Sequence, residues 1–200
     1  ERKRLNNVAG VFHTAVSKDG ELGVVAQLRP KNLLPLAHVE HGWAFGDALT
    51  LFGSNVGGLV QIPLDELDRY YALPWGIAIA PDKSKIFLTT AGSQSVTVLD
   101  VARLLKSVRT HRRPFVNDLS ASAEYVSSRI AVGHNPRGVA FSPDGKHLYV
   151  ANRLDDTISV IDTADEDVVA TLDLGGPKNI DALRRGERLF YTAEFAFQGG

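Results

Sequence analysis

The hydrophobic and polar positions of this chain follow a short pattern that is clearest in its C-terminal half. Residues 138–141 form a brief apolar run, which predicts a strand that packs on both faces. A Ser-Pro-Asp-Gly sequence at residues 142–145 predicts a tight turn, because proline fixes φ and glycine supplies a positive φ. Residues 147–151, 157–162 and 168–174 are predicted strands, the middle one alternating with period two. The pattern therefore indicates an antiparallel four-stranded unit of about 40 residues.

This unit is repeated along the chain. Residues 74–100 read PWGIAIAPDKSKIFLTTAGSQSVTVLD and residues 136–162 read PRGVAFSPDGKHLYVANRLDDTISVID, an offset of 62 without a gap. A degenerate third copy begins at residues 13–20, which contain a first strand and an Asp-Gly turn. Its further strands are predicted at residues 22–27, 48–52 and 59–63, so residues 28–47 become a long loop. A loop of that length in a compact domain is usually functional.

Two features interrupt the repeat. Residues 101–108 have helical spacing of apolar positions, and residues 118–128 are predicted to form a second short helix. One four-stranded unit needs only about 40 residues, so this insert explains why the two copies of the repeat lie 62 residues apart. Residues 1–8 are interpreted as the outer strand of a preceding unit.

These elements predict an all-β fold, a partial β-propeller of about three four-stranded antiparallel blades with a helical insert and a C-terminal helix start. The predicted blades cover residues 10–65, 74–132 and 136–176. A propeller ring has typically 4–8 blades, and ring closure protects the edges of its sheets. Three blades cannot close a ring, so the missing propeller blades are expected beyond one or both ends of the chain.

The amino-acid composition excludes several kinds of function and site. The formal net charge of −1 gives no electrostatic footprint for nucleic acid, and no apolar run approaches the roughly 18 residues of a membrane segment. Cysteine is absent, which excludes disulfides, thiolate metal sites and thioether-linked haem within these residues. Methionine is also absent, so a mature domain or a fragment is expected. No nucleophile elbow, phosphate loop or dinucleotide fingerprint occurs.

The third blade resembles YVTN-family β-propellers. The resemblance rests on Asn135 to Gly138, on the tetrad Tyr149-Val150-Ala151-Asn152 and on residues 158–162, and it extends over roughly residues 10–176. It implies the propeller fold and leaves the activity open, because such blades occur in surface proteins, lactonase-like enzymes and cytochromes. Tyr149 and Phe87 are expected in the blade core.

A second resemblance concerns the C-terminal residues 183–191, which read LRRGERLFY. They are similar to the opening helix of the c-type cytochrome domain in dihaem peroxidase-like proteins. This implies a propeller over residues 1–178 and the start of a downstream cytochrome c-type domain at 179–200. It further implies haem c in that missing domain and no cofactor within this chain. A periplasmic or extracellular location and a redox partner protein are implied by resemblance only.

Propeller topology predicts which side chains meet. Loops that lead into the innermost strands and loops that join second to third strands lie on one face, whereas the turns at Asp19, Asp82 and Asp144 lie on the other. The first face is predicted to hold His13, Arg29, His38, His41, Trp75, His134, Arg137, Asn152 and Arg153. Such a face suits haem propionates, another anionic ligand or a docked domain. The alternative is a set of solvated loop residues.

Two further clusters are interpreted conservatively. His38 and His41 form only half of a metal site and are interpreted as exposed loop histidines. Asp162 and residues 165–167 are interpreted as solvated turn residues. The leading hypothesis is a non-catalytic scaffold or docking module of a periplasmic haem protein. A lactonase-like hydrolase and a cell-surface adhesion propeller are the alternatives.

Overall fold

The computed structural model describes residues 8–30, 45–66, 71–111 and 118–193, and these form three four-stranded antiparallel sheets. The strands of the first blade are β1 (Gly10–Val16), β2 (Gly23–Pro30), β3 (Phe45–Phe52) and β4 (Val60–Pro63). Those of the second are β5 (Pro74–Ile79), β6 (Lys85–Thr90), β7 (Ser95–Asp100) and β8 (Val126–Ala131). Those of the third are β9 (Pro136–Phe141), β10 (His147–Asn152), β11 (Thr157–Asp162) and β12 (Asp167–Asp173). The predicted all-β propeller fold is confirmed.

Helices occupy two places. The insert contains α1 (Val101–Thr110), a 3₁₀ turn (Leu119–Ala121) and α2 (Ser122–Tyr125), and α3 (Ala182–Tyr191) follows the third blade. Asp100 caps α1, its carboxylate accepting a hydrogen bond of 2.8 Å from the Arg103 amide. The second predicted helix is shorter than expected, because Val126 already pairs with Leu99 as the first residue of β8. Among the described residues, no helix has the length and apolar character needed to cross a membrane.

The innermost strands β1, β5 and β9 lie side by side. Gly76 on β5 comes so close to β9 that a Cβ atom there would lie 2.1 Å from the Arg137 carbonyl oxygen. Glycine is therefore required at this position. The hydrophobic core fills the gaps between the sheets, with Leu49, Leu51, Ile86 and Leu88 in one cluster and Phe87, Val96, Leu148 and Val150 in the next. The blades thus stack face to face around a common inner edge.

The backbone repeats with the sequence. Leu73 and Asn135 have positive φ angles of 59° and 53°, and Gln94 and Asp156 have positive φ angles of 51° and 53°. Each pair is separated by the same 62 residues as the sequence repeat. The loops at one end of blades two and three therefore have the same conformation.

The long loop of the first blade is shorter than predicted. β2 continues to Pro30 and β3 begins at Phe45, so residues 28–30 and 45–47 belong to paired strands. Residues 31–44 lie outside the described residues, and so do residues 1–7. The outer strand predicted at residues 1–8 therefore lies almost wholly outside the described part of the chain.

The expectation that Tyr149 is buried in the blade core is wrong, whereas Phe87 is fully buried. Leu148, Val150 and Asn152 on β10 are buried, and Tyr149 alternates to the opposite face of the sheet, where it is 38% exposed. The prediction that β9 packs on both faces is also wrong. Gly138 and Ala140 lie on the same uncovered side of the sheet and are exposed. The third blade is covered on only one face.

Candidate docking and ligand face

One end of the blades carries the loops that the topology predicted to meet, and we call it the upper face. Two loops lead into β5 and β9, and two loops join β6 to β7 and β10 to β11. They are linked by backbone hydrogen bonds, from the Ala91 amide to the Leu73 carbonyl at 2.9 Å and from the Arg153 amide to the Asn135 carbonyl at 3.2 Å. Each of these bonds joins the two upper-face loops of one blade, the first in blade two and the second in blade three.

Three side chains from successive innermost strands stack at this end. Phe12, Trp75 and Arg137 occupy corresponding places in β1, β5 and β9. The Phe12 and Trp75 ring centroids lie 5.0 Å apart, and the Arg137 guanidinium carbon lies 4.0 Å from the Trp75 ring centroid. The stack combines aromatic and cation–π contacts. The predicted neighbourhood of Trp75 and Arg137 is thus present, and Phe12 extends it.

A second set of contacts fixes the Arg137 side chain. Its Nε donates to Asn135 Oδ1 at 2.8 Å, and Asn135 is buried with a left-handed backbone. The guanidinium carbon also lies 5.4 Å from the Tyr191 ring centroid. Arg137 is therefore held in one orientation by groups from the loop before β9, from β5 and from α3.

His13 and His134 contribute in different ways. His13 lies within β1 and not in a loop, and its Nδ1 accepts a hydrogen bond of 3.1 Å from the Ile77 amide of β5. His134 lies in the loop before β9, with Nδ1 2.9 Å from Asp155 Oδ1. Asp155 also accepts from the His134 amide at 2.7 Å and from Arg188 at 2.6 Å. His134 is thus joined to α3 through a shared carboxylate.

The remaining predicted residues divide into three cases. Arg153 is exposed, with its guanidinium carbon 5.5 Å from the Tyr191 ring centroid. Asn152 is buried, and its amide donates to Thr157 Oγ1 at 3.0 Å and to Ser159 Oγ at 2.9 Å, which makes it a structural residue. Arg29 pairs with Gly46 within the first sheet, and burial lowers its pKa. His38 and His41 lie outside the described residues.

Helix α3 lies across the upper face. At its N-terminal end, Arg184 donates to Asp156 at 3.1 Å and to the Arg153 carbonyl at 3.1 Å. Beyond its C-terminal end, the Ala193 amide donates to the Gly92 carbonyl at 2.8 Å, and Gln94 donates to Thr192 at 3.0 Å. α3 therefore bridges the corresponding loops of blades two and three.

The orientation of α3 is unusual for an amphipathic helix. Most of its charged positions face the blades, because Glu187 pairs with Arg153 at 3.3 Å and Arg188 pairs with Asp155. Leu183, Leu189 and Phe190 are 76%, 61% and 81% exposed. The helix is thus attached by ion pairs, and its apolar side chains face away from the propeller.

Sequence reasoning did not select Phe12, Asp155, Arg188 or Tyr191. For Phe12 and Asp155, the alignment of the repeats could have indicated a role. Phe12 falls at the position of Trp75, and Asp155 falls at the position of Ser93, whose hydroxyl accepts from the Ala72 amide at 2.9 Å. For Arg188 and Tyr191 the sequence contains no such indication, because nothing in the repeat shows where α3 packs.

The opposite face carries the Asp turns. Asp144 accepts from the Ser142 hydroxyl at 2.6 Å and from the Lys146 amide at 3.1 Å, and these bonds lower its pKa. Asp19 forms an ion pair with Lys83, and this interaction holds the pKa of the Asp19 carboxyl well below its usual range. In the acidic segment, Glu166 is only half-exposed and pairs with Lys85 at 2.8 Å, so it joins two blades and is not merely solvated.

A cavity of about 350 Å³ lies between blades two and three on this opposite face, lined by Pro81, Lys85, Phe141 and Thr163 among others. Lys85 is already paired with Glu166, so its charge is compensated there. The parts of the chain that the structure describes contain no group of three or more histidine, aspartate or glutamate side chains able to hold a metal ion. The upper face is therefore the better candidate site.

Comparison with known proteins extends these findings. Residues 76–174 match the family described as "Lactonase, 7-bladed beta-propeller". The hydrazine synthase subunit beta of Kuenenia stuttgartiensis is 31% identical over 169 residues, which cover 82% of this chain and 44% of that protein. The chain thus spans somewhat less than half of the length of this relative.

Solved structures agree in fold. The hydrazine synthase of Kuenenia stuttgartiensis superposes with a TM-score of 0.72 at 30% identity, over 80% of this chain and 47% of that chain. The dihydro-heme d1 dehydrogenase NirN superposes with a TM-score of 0.54 at 19% identity, over 84% of this chain and 29% of that chain, which shows a shared fold alone. The chain thus has a β-propeller fold that is similar over residues 76–174 to the seven-bladed lactonase family and over most of its length to hydrazine synthase subunit beta.

Proposed function

We propose that this chain is a non-catalytic propeller scaffold and docking module of a haem-associated electron-transfer protein in the bacterial periplasm. In this proposal the upper face positions a C-terminal domain or a partner subunit, and the redox chemistry takes place outside these residues. Residues 1–178 then act as the propeller, and residues 179–200 begin the downstream cytochrome c-type domain that would carry haem c.

The observation that carries the proposal is the packing of α3. The first element after the third blade lies on the predicted docking face, attached through His134, Arg137 and Arg153 or through their immediate partners. Because the ion-paired side chains of α3 face the blades, its exposed apolar side chains are directed towards whatever follows or binds. Such an arrangement suits a helix that connects a scaffold to a second body.

The relatives support the same proposal. The related hydrazine synthase protein is named a subunit, which places it in an assembly of several chains. NirN, which shares the fold, is named for a haem substrate. A docking module in a multi-subunit haem protein is consistent with both names.

The test uses the intact protein with Trp75→Ala and Arg137→Ala. Each substitution should weaken association with the haem domain or redox partner by roughly 1–3 kcal/mol, because tryptophan and arginine anchors dominate binding energies. Isothermal titration calorimetry or electron-transfer kinetics measures the loss. Arg103→Ala, at an exposed position on α1, is the matched control and should behave as wild type. Wild-type association in both upper-face variants, with the fold intact, would contradict the docking role.

A second candidate is a lactonase-like hydrolase, favoured by the family that residues 76–174 match. It requires carboxylate or histidine catalytic groups on one face of the ring. Hydrolysis of a panel of lactones by the intact protein, abolished by His134→Ala, would support the hydrolase and argue against a purely non-catalytic module.

A further inference from the structure

We propose that the cavity between blades two and three, on the face opposite to the upper face, binds the ammonium group of a small organic cation. The cavity has a volume of about 350 Å³, which lies within the range of small-molecule sites. Asp82 of blade two and Asp144 of blade three line it, together with Phe141. The proposal goes beyond the docking role, because it concerns the opposite face and requires no partner protein.

The gap between blades one and two shows which group occupies the corresponding place there. Lys83 lies in the Asp turn of blade two, and its ammonium group forms ion pairs with Asp19 and Glu21 of blade one. The distance from Lys83 Nζ to Glu21 Oε2 is 2.9 Å. A side chain of the protein itself therefore places a primary ammonium group between the turns of these two blades.

The matching position in blade three is Gly145. The amides of Lys83 and Gly145 each donate to the carbonyl oxygen of the residue three positions earlier, and both residues have positive φ angles, of 61° and 73°. Because glycine has no side chain, no ammonium group reaches from Gly145 back to Asp82, which corresponds to Asp19. Gly145 and Asp82 both line the cavity. The cavity thus lies where the preceding gap holds the Lys83 side chain.

The charges around the cavity favour a cation. Lys85 also lines the cavity, but its Nζ lies 2.8 Å from Glu166 Oε1 and 2.9 Å from the Thr163 carbonyl oxygen. Asp82 and Asp144 form no ion pair within the described part of the chain. The lining therefore carries two carboxylates that lack an ion-pair partner, and an external ammonium group is complementary to them.

The Asp82 carboxylate is oriented before any ligand binds. Its Oδ1 accepts hydrogen bonds from the Ser84 amide at 2.9 Å and from the Ser84 hydroxyl at 2.7 Å. These bonds lower the pKa of Asp82, so the carboxyl is ionised at neutral pH. Oδ2 accepts no hydrogen bond from the described residues and remains for the N–H donors of a ligand. Pro81 and Phe141 in the lining supply apolar surface for the body of the ligand.

The first experiment titrates the full chain with butylammonium and benzylammonium chloride at constant ionic strength. 1-Butanol and benzyl alcohol are the uncharged counterparts of similar size. Calorimetry or equilibrium dialysis should show saturable binding of at least one amine, and the matching alcohol should bind several-fold more weakly. Absence of saturable amine binding, or equal affinity for amine and alcohol, would overturn the proposal.

Asp82→Asn tests the charge of the site, because the variant keeps an acceptor for Ser84 and loses the carboxylate. It should weaken amine binding roughly three- to tenfold. Asp118→Asn is the matched control and should bind as wild type. Asp118 accepts the same pair of hydrogen bonds from the amide and hydroxyl of Ser120, but it lies in the insert and does not line the cavity. Unchanged affinity in folded Asp82→Asn would overturn the site.

Gly145→Lys supplies the ammonium group from the chain itself and should abolish amine binding, because its own side chain takes the place of the ligand. The turn accepts lysine, since Lys83 has the same conformation in blade two. A Cβ atom at Gly145 would lie 3.3 Å from Pro81 Cγ, so Pro81 must give way slightly.

Gly20→Lys is the matched control for this variant. It makes the same substitution in the corresponding turn of blade one, where a Cβ atom would have no neighbour within 4 Å. Gly20 does not line the cavity, so amine affinity should stay at the wild-type value. Wild-type amine binding by folded Gly145→Lys would overturn the site even if partner docking on the upper face proves correct.

Discussion

At the scale of the residue, the repeat assigns different chemistry to corresponding positions. The position that holds Phe12 in the first blade holds Trp75 in the second and Arg137 in the third, and the three side chains stack. Ser93 and Asp155 also occupy corresponding positions, and each accepts a hydrogen bond from a backbone amide of the neighbouring loop. Only Asp155 is charged, and it also forms the ion pair with Arg188 of α3. One change of residue type at a structural position thus allows that position to attach a helix as well.

The turns of the opposite face yield a prediction about pH. The pKa of Asp144 is lowered by the Ser142 hydroxyl and the Lys146 amide. A carboxyl with a depressed folded pKa contributes stability above its unfolded pKa, about 3.9, and this stability is lost as pH falls towards the folded pKa. Asp144→Asn should therefore lower the urea midpoint at pH 7 and reduce its decline between pH 5 and pH 2.

The control for this prediction is Asp165→Asn on the outer turn of the same blade, whose side chain is exposed. This variant should keep the wild-type decline of the urea midpoint with acid. An unchanged profile in Asp144→Asn would mean that the turn hydrogen bonds do not contribute to the acid dependence.

At the scale of the element, strands were predictable and the packing of helices was not. The strands of blades two and three follow from alternating positions and from turns that proline and aspartate favour. Hydropathy failed for α3, because an apolar stripe normally marks the buried side of a helix. Here ion pairs with Asp155 and Asp156 determine which side packs, and those carboxylates are far from α3 in sequence.

The attachment of α3 yields a second prediction. Arg188 donates to Asp155 and to the Leu154 carbonyl at 3.1 Å, so Arg188→Gln removes a charged anchor. The helix should open more easily by roughly 1–2 kcal/mol, and amide exchange within α3 should accelerate roughly 5- to 30-fold. Hydrogen exchange measured by mass spectrometry or NMR reports this directly.

Arg185 provides the matched control, because it lies on the same helix and is exposed. Arg185→Gln should leave the exchange of α3 unchanged at equal ionic strength. Equal exchange in both variants would show that α3 does not depend on the Asp155 pair for its position.

At the scale of the whole molecule, the blades differ in how they are covered. The middle blade is packed on both faces, between the cores that contain Leu88 and Phe87. The third blade leaves a row of apolar side chains uncovered, since Tyr149 pairs with Ala140 and Val160, and Leu172 pairs with Ile158. Sequence alone predicted the fold of this blade but not its open face, because Tyr149 and Val150 look equally suited to a core.

The open face leads to the last prediction, that this chain on its own self-associates. Tyr149, Val169, Leu172 and Leu174 are 38%, 57%, 46% and 62% exposed, and contiguous apolar surface of this kind on a sheet drives association. Sedimentation velocity should show oligomers that grow with concentration, and the double variant Tyr149→Lys, Leu172→Lys should shift the distribution towards monomer. Val11→Lys, at an exposed position on β1 of the first blade, is the control and should have a smaller effect. A monodisperse wild-type monomer with one cooperative thermal transition would contradict the prediction, because it would show that the third blade is stable with this face in water.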